Sequence, residues 1–129
     1  VKPGSGSDEY IVTLDARSEW YNTGIQVKAG STLHFSAEGS WGESPDVTRT
    51  PNGGAAGMFG SGYWGVERVE PSSPWGSLVG KVGNQVFPIG TLNSTTVQYA
   101  GSLQLAINDG LGAYHDNHGS ITVKVEVDD

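Results

Sequence analysis

The stretch of this chain with most to offer chemically is Asn108-Asp109-Gly110-Leu111-Gly112-Ala113-Tyr114-His115-Asp116-Asn117-His118-Gly119-Ser120. It gathers two Asp, two Asn and two His, with three Gly to bend the backbone. Carboxylate and amide oxygens on such a loop suit a hard cation, calcium above all, which takes about six to eight oxygen ligands. The same residues are the commonest turn formers, and a polar loop between two strands needs no metal. The spacing is not that of an EF-hand, whose acidic residues alternate and end on a closing Glu. A second metal reading pairs His115 and His118 with Asp109 or Asp116, a set better suited to zinc or copper; the plain alternative is that both histidines are simply solvated.

Two strands must hold this loop. Before it, Leu103, Leu105 and Ile107 alternate with Gln104, Ala106 and Asn108; after it, Ile121, Val123, Val125 and Val127 alternate with Thr122, Lys124 and Glu126. A period of two over this length predicts half-buried strands, so the loop is a long hairpin connection. The rest of the chain has the same character. At 129 residues it is long enough for one domain with its own core. Its 20 Gly and the absence of long runs of helix formers predict an all-β protein, a jelly-roll β-sandwich of two antiparallel sheets with about eight strands. The net charge of -7 argues against nucleic acid, whose phosphates call for clustered Lys and Arg. No apolar run approaches the roughly 18 residues of a membrane helix. With no Cys, the fold uses no disulfide, and composition does not choose a redox compartment.

Residues 1–8 read as a Gly/Ser-rich linker or cloning remnant, and 9–129 as the domain. Strands are expected over Glu9–Ala16, from Ile25, over Thr32–Glu38, Gly76–Val82, Gln85–Ile89, Thr95–Ala100, Ser102–Asn108 and Ser120–Val127. Arg17–Gly24 and Gly90–Ser94 read as turns, and His34 as a surface residue. Gly39 to Pro74 is the least regular region, with eight Gly and four Pro; a loop so long is usually functional or holds short strands, here expected near Met58–Phe59 and Val66–Val69. Its aromatics, Tyr63 and Trp64 among them, either cover one end of the core or offer flat faces to a sugar ring. No Gly-x-Ser-x-Gly elbow, His-Glu-x-x-His or P-loop occurs, and nothing identifies an enzyme, although a carboxylate pair would be invisible to spacing. Asn93-Ser94-Thr95 matches a glycosylation sequon, a triplet frequent by chance.

Four ordered segments carry a family resemblance. Asn108-Asp109 followed by Gly112-x-Tyr114-x-x-Asn117-x-Gly119-Ser120 resembles the closing motif of the PA-IL-type galactophilic lectins of bacteria. Thr23-Gly24-Ile25-x-Val27-x-x-Gly30, Ala37-x-Gly39-x-Trp41-Gly42 and Trp75-Gly76-Ser77-Leu78-Val79-Gly80-Lys81-Val82-Gly83 are similar to earlier segments of that family, in the same order. The resemblance covers most of the chain from about residue 20. It implies a jelly-roll domain, secreted or extracellular, that binds galactose or a related sugar through Ca2+ and has no catalysis of its own. It implies ion ligands at the side chains of Asp109, Asp116 and Asn117 and at the backbone carbonyls of Trp41 and Ala113. It places Trp41, Thr50, Asp109, Gly110, His115, Asp116 and Asn117 at the sugar. Asp116 stands where the family usually has Asn. Thr50-Pro51-Asn52-Gly53 stands where the galactose-specific members have His-Pro-Asp-Gln, so the ion transfers better than the sugar preference. The resemblance implies homo-oligomers, and the linker-like N-terminus favours a module attached to a larger secreted enzyme or adhesin. The competing expectation is a calcium-stabilised interaction module that binds no sugar.

Overall fold

The computed structural model describes residues 2–3, 8–45, 47–54, 68–112 and 114–128. Among the described residues, strands run in order β1 (Lys2–Pro3), β2 (Glu9–Asp15), β3 (Tyr21–Val27), β4 (Thr32–Gly42), β5 (Leu78–Val82), β6 (Gln85–Pro88), β7 (Leu92–Thr96), β8 (Gly101–Ile107) and β9 (His118–Asp128), with a 3-10 turn at Tyr114–Asp116. One sheet has the order β1-β2-β9-β4-β7 and the other β3-β8-β5-β6. Setting the two-residue β1 aside, each sheet has four strands. Every pairing is antiparallel, and among them β2 with β9, β3 with β8, β4 with β7 and β5 with β6 form a nested set. This is one long hairpin rolled up, the jelly-roll winding.

Alternation decides which side chains meet between the sheets. Val12, Leu14, Leu33, Phe35, Ile121, Val123 and Val125 of the first sheet face Leu78, Val82, Phe87, Leu103, Leu105 and Ile107 of the second, and all are buried. The rings of Phe35 and Phe87 join the two layers, with centroids 6.0 Å apart. Burying each such side chain contributes roughly 1.5–3 kcal/mol.

The registers place three connections at one end. Gly42, the last residue of β4, pairs with His118, the first of β9. Asp15, the last of β2, pairs with Ser120. Ile107, the last of β8, pairs with Leu78, the first of β5. The β2–β3 turn, the β4–β5 connection and the β8–β9 loop therefore share a rim.

Several expected boundaries move, and β4 runs on past Glu38 to Gly42, into the stretch read as irregular. Arg17–Gly24 has the composition of a turn, but β3 begins within it, at Tyr21. Asn22-Thr23-Gly24 is a bulge in the pairing with β8, where the register shifts between Asn22 and Gln26 and Gly24 takes φ 78°. The Asn22 side chain accepts the Gly24 N–H at 2.9 Å, as it would in a free turn. The turn expected at Gly90–Ser94 and the strand expected at Thr95–Ala100 are both displaced. Instead β7 spans Leu92–Thr96, paired with Ser36 through Thr32 of β4. Leu92 is 79% exposed there, so the apolar alternation that marks a strand is missing. Arg68–Val69 is not a strand; Met58, Phe59, Tyr63, Trp64 and Val66 lie outside the described residues.

Candidate functional site

At the shared rim, β8 delivers Asn108 and Asp109 in succession. Both are buried, at 0% and 4% exposure, and they do different things. Asn108 is a peg. Its Nδ2 donates to the carbonyls of Glu70, Ser73 and Pro74 at 2.9, 3.1 and 3.0 Å, and its Oδ1 accepts the Glu70 N–H at 2.9 Å. The 68–77 segment is thereby tied to the end of β8, reinforced by Val69 N–H to the Asp109 carbonyl at 2.9 Å. Asp109 uses one carboxylate oxygen, Oδ1, for the N–H of buried Gly110 at 2.8 Å. Its Oδ2 is buried with no partner.

Asn117, 4% exposed, stands across the loop. Its Nδ2 donates to the Ala16 carbonyl at 2.8 Å. That bond fixes which end of the amide faces which way, since nitrogen must point at the carbonyl. The oxygen, Oδ1, is left buried with no partner. Among the described residues three buried side-chain polar atoms are orphaned: Trp75 Nε1, Asp109 Oδ2 and Asn117 Oδ1. Two of the three are acceptors on this one loop, and an acceptor left unsatisfied in a buried place costs about 1–3 kcal/mol. Burial pushes the Asp109 carboxyl up to about 6; the Gly110 N–H and the Asn117 amide oppose the rise, and the carboxylates of Glu43 and Asp116 add to it. A cation beside these oxygens would reverse that balance.

The loop between them is shaped by Tyr114, whose buried ring sits on the 3-10 turn and whose hydroxyl donates to the Ile107 carbonyl at 2.7 Å. The turn leaves His115 and Asp116 exposed. Ala113 lies outside the described residues. Trp41, fully buried, is the penultimate residue of β4 and lies opposite Gly119. Its indole N–H donates to the Gly76 carbonyl at 2.8 Å, and its own carbonyl accepts the Arg49 N–H at 2.6 Å. A carbonyl has two lone pairs, so one is left for another partner. Behind it, Arg49 and Glu43 form a part-buried forked ion pair, Nε to Oε1 at 2.8 Å and Nη2 to Oε2 at 3.0 Å.

Other expected groups are committed elsewhere. The His118 ring nitrogen bonds the Val47 carbonyl, so a zinc or copper set with His115 loses one member. No group of three or more His, Cys, Asp or Glu side chains able to hold a metal occurs among the described residues. An oxygen site here would have to draw on amide and backbone oxygens, as calcium does readily. Thr50 is exposed and opens a β-turn in which Gly53 N–H donates to the Thr50 carbonyl at 2.9 Å. Asn52 in that turn points its side chain at the next connection, with Oδ1 accepting from the Thr91 N–H at 2.9 Å and its hydroxyl at 3.2 Å. Asn52 is therefore a brace. A Ser94–His34–Asp128 row lies on the outer face of the first sheet, at 2.7 and 3.8 Å. The His34 and Asp128 side chains are 42% and 70% exposed, so the row lacks the water-excluded setting that acyl-transfer chemistry draws on.

Spacing alone missed three features: the Asn108 peg, the use of Ala16 to orient Asn117, and a bond from Gly112 N–H to the Glu19 carboxylate at 2.8 Å. Each joins residues 34 or more positions apart.

The chain matches no family model and no curated protein. Its fold is similar to a solved structure described as "EclA N-terminal domain; PllA-like lectin". The TM-score is 0.72 and the identity 26%, over 95% of this chain and 100% of that one.

Proposed function

We propose, from the premise that this chain is a lectin-like domain resembling the PA-IL type in fold and in ordered motifs, that it binds carbohydrate through a calcium ion. The observation that carries the reading is the pair of buried, unpartnered oxygens, Asp109 Oδ2 and Asn117 Oδ1, on one loop. Their chemistry fits calcium: hard oxygen donors, one of them anionic. The Asp109 and Asn117 side chains would hold the ion with Asp116 and with the carbonyls of Trp41 and Ala113. Bound there, the ion would offer vacant coordination positions to two vicinal sugar hydroxyls. Asp116 in place of an amide adds a negative charge and tightens the ion.

Galactose or a related sugar is the ligand class this reading favours. Thr50, Gly110 and His115 would border it. Asn52 is spent on Thr91, so the Thr50–Gly53 turn gives few sugar contacts and the ion carries most of the binding. Affinity for a single sugar is then modest, and attachment to a larger protein or self-association would raise it by roughly 10²–10⁴. The domain acts outside the cell and performs no catalysis.

The same sparse rim favours one second reading, a calcium-stabilised interaction module that binds no sugar. A glycan array probed with calcium and again with chelator decides between them. Calcium-dependent capture of galactosides supports the lectin. Silence in both arms, alongside calcium binding in solution, supports the module. Sugar binding that survives chelation removes the ion from the account.

A further inference from the structure

The β2–β3 turn packs on the ion loop at both of its ends. Ala16 accepts from Asn117 Nδ2 through its carbonyl and donates its own N–H to the Gly119 carbonyl at 3.0 Å. Three residues on, Glu19 Oε2 accepts the Gly112 N–H at 2.8 Å. Gly112 has φ 88°, a left-handed conformation that suits glycine, and stands exposed at the loop tip. The acceptor for its N–H comes from outside the loop, 93 positions away in the chain.

The turn itself is built to hold that pose. The Ser18 N–H closes onto the Asp15 carbonyl at 3.1 Å, and the Asp15 carboxylate is committed to Arg17 by three bonds of 2.8, 3.2 and 3.1 Å. Glu19 is thus the acid of the turn left for the loop. Trp20 follows it with φ 47°, the single non-glycine residue with positive φ among those described. Such a conformation is strained for a residue with a side chain and persists only where surrounding structure enforces it. Here the enforcement is visible. The Trp20 indole packs on the core, with the Lys81 ammonium 5.1 Å from its ring centroid. The reversal at Trp20 keeps Glu19 turned toward Gly112 instead of letting it run on into β3.

We propose that Glu19 is a positioning residue for the ion site: by holding Gly112 it presets the loop between Asp109 and Asn117 before the cation arrives. This rests on the calcium reading above. A preset loop binds without ordering itself, and that saving is read directly as affinity. Glu19 acts as a hydrogen-bond acceptor, not as a distant charge, and the two roles separate experimentally.

The test is calorimetric titration of calcium alone into the full chain, as wild type, Glu19→Ala and Glu19→Gln, with amide hydrogen exchange at Gly112 on the metal-free proteins. The Gln side chain keeps an acceptor oxygen and loses the charge. Expected are a calcium affinity about 3- to 10-fold weaker for Glu19→Ala and faster exchange at Gly112, with a metal-free melting temperature within about 2 °C of wild type. Glu19→Gln should restore both affinity and protection to near wild type. Equal weakening by Ala and Gln would overturn the proposal in favour of a remote charge effect. Unchanged affinity in both would overturn it outright. A wild-type chain that takes up no calcium would instead sink the underlying ion reading, and that shows in the first titration, before any variant is compared.

Discussion

Asn108 and Glu70 hold each other reciprocally: the Glu70 N–H donates to Asn108 Oδ1 and Asn108 Nδ2 donates to the Glu70 carbonyl, both at 2.9 Å. A side chain here takes the place of a strand partner for a segment with no strand of its own. Replacement by Ala leaves the Glu70 N–H and the Ser73 and Pro74 carbonyls without this partner in a part-buried to buried place. Asn108→Ala should therefore cost about 2–4 kcal/mol, more than one ordinary hydrogen bond. Urea denaturation followed by tryptophan fluorescence measures it. A loss under about 1 kcal/mol, the worth of one such bond, would mean that the 68–77 segment is held by something else.

Calcium should raise the melting temperature of the wild-type domain, and chelator should reverse the rise. At a calcium concentration of about 100 times the dissociation constant the gain is about 2.7 kcal/mol. For a chain of this length that is on the order of 10 °C. Differential scanning fluorimetry with calcium and with chelator reads it.

Asp109→Asn should move stability in opposite directions with and without the ion. Without metal, burial holds the Asp109 carboxyl at about 6, against an ordinary value of 3.8. A carboxyl whose folded value is raised contributes most below about pH 4, and its contribution is lost as pH rises from there through about 6. At about pH 7.5 the charged form costs the metal-free fold on the order of 2–3 kcal/mol. A neutral amide at this position avoids that cost. The metal-free variant should therefore melt above metal-free wild type at about pH 7.5, and the difference should shrink at about pH 4.5. The calcium-dependent rise should vanish in the variant at both values. Melting curves at the two pH values, with and without calcium, provide the check.

Glu43 and Arg49 should be costly to separate and cheaper to remove together. Their side chains are 9% and 12% exposed, and Gly76 lies so close that a Cβ there would stand 2.7 Å from Arg49 Cδ and 2.8 Å from Glu43 Oε1. Breaking a buried pair from one side typically costs about 3–5 kcal/mol, because the partner is left charged and desolvated. Glu43→Gln should fall in or near that range, and Glu43→Gln with Arg49→Met should recover part of it. A double-mutant cycle by chemical denaturation measures the coupling.

Gly42→Ala should damage the rim through crowding alone. A Cβ on Gly42 would fall 2.0 Å from the Val47 carbonyl oxygen and 2.5 Å from His118 Nε2. Either the Val47 backbone in the β4–β5 connection or the end of β4 must then move. The variant should lose roughly 1–3 kcal/mol and bind calcium more weakly, as titration calorimetry would show.

What the sequence made legible follows from range. The alternation of Ile121, Val123 and Val125 and of Leu103, Leu105 and Ile107 is a local record of two-sided strands, and these residues are buried as read. Asp109 and Asn117 are legible as oxygen donors, and the fold buries both. The bounds of β7 are hidden because Leu92, Ser94 and Thr96 project from an edge strand into solvent, where no apolar period is imposed. The start of β3 is hidden because Asn22-Thr23-Gly24 has the chemistry of a turn, and only the ladder with β8 turns it into a bulge. The roles of Glu19, Ala16 and Asn108 give no local signal, although Asn108 itself stands in the donor-rich stretch. Their roles exist only across the sandwich, and nothing in the types of their neighbours encodes partners 38, 93 or 101 positions away.

The bond between Ala16 and Asn117 spans 101 positions, and it joins the outermost turn of the rolled hairpin. Closing so large a loop is entropically the most expensive step of such a topology and tends to come late and slowly. A chain still emerging from the ribosome, or one clipped within β9, has the acidic loop but not the wall that orients its amide. On the calcium reading, tight ion capture would report that the β2–β3 turn and the start of β9 have found each other, and a metal-sensitive probe on this loop would time that contact.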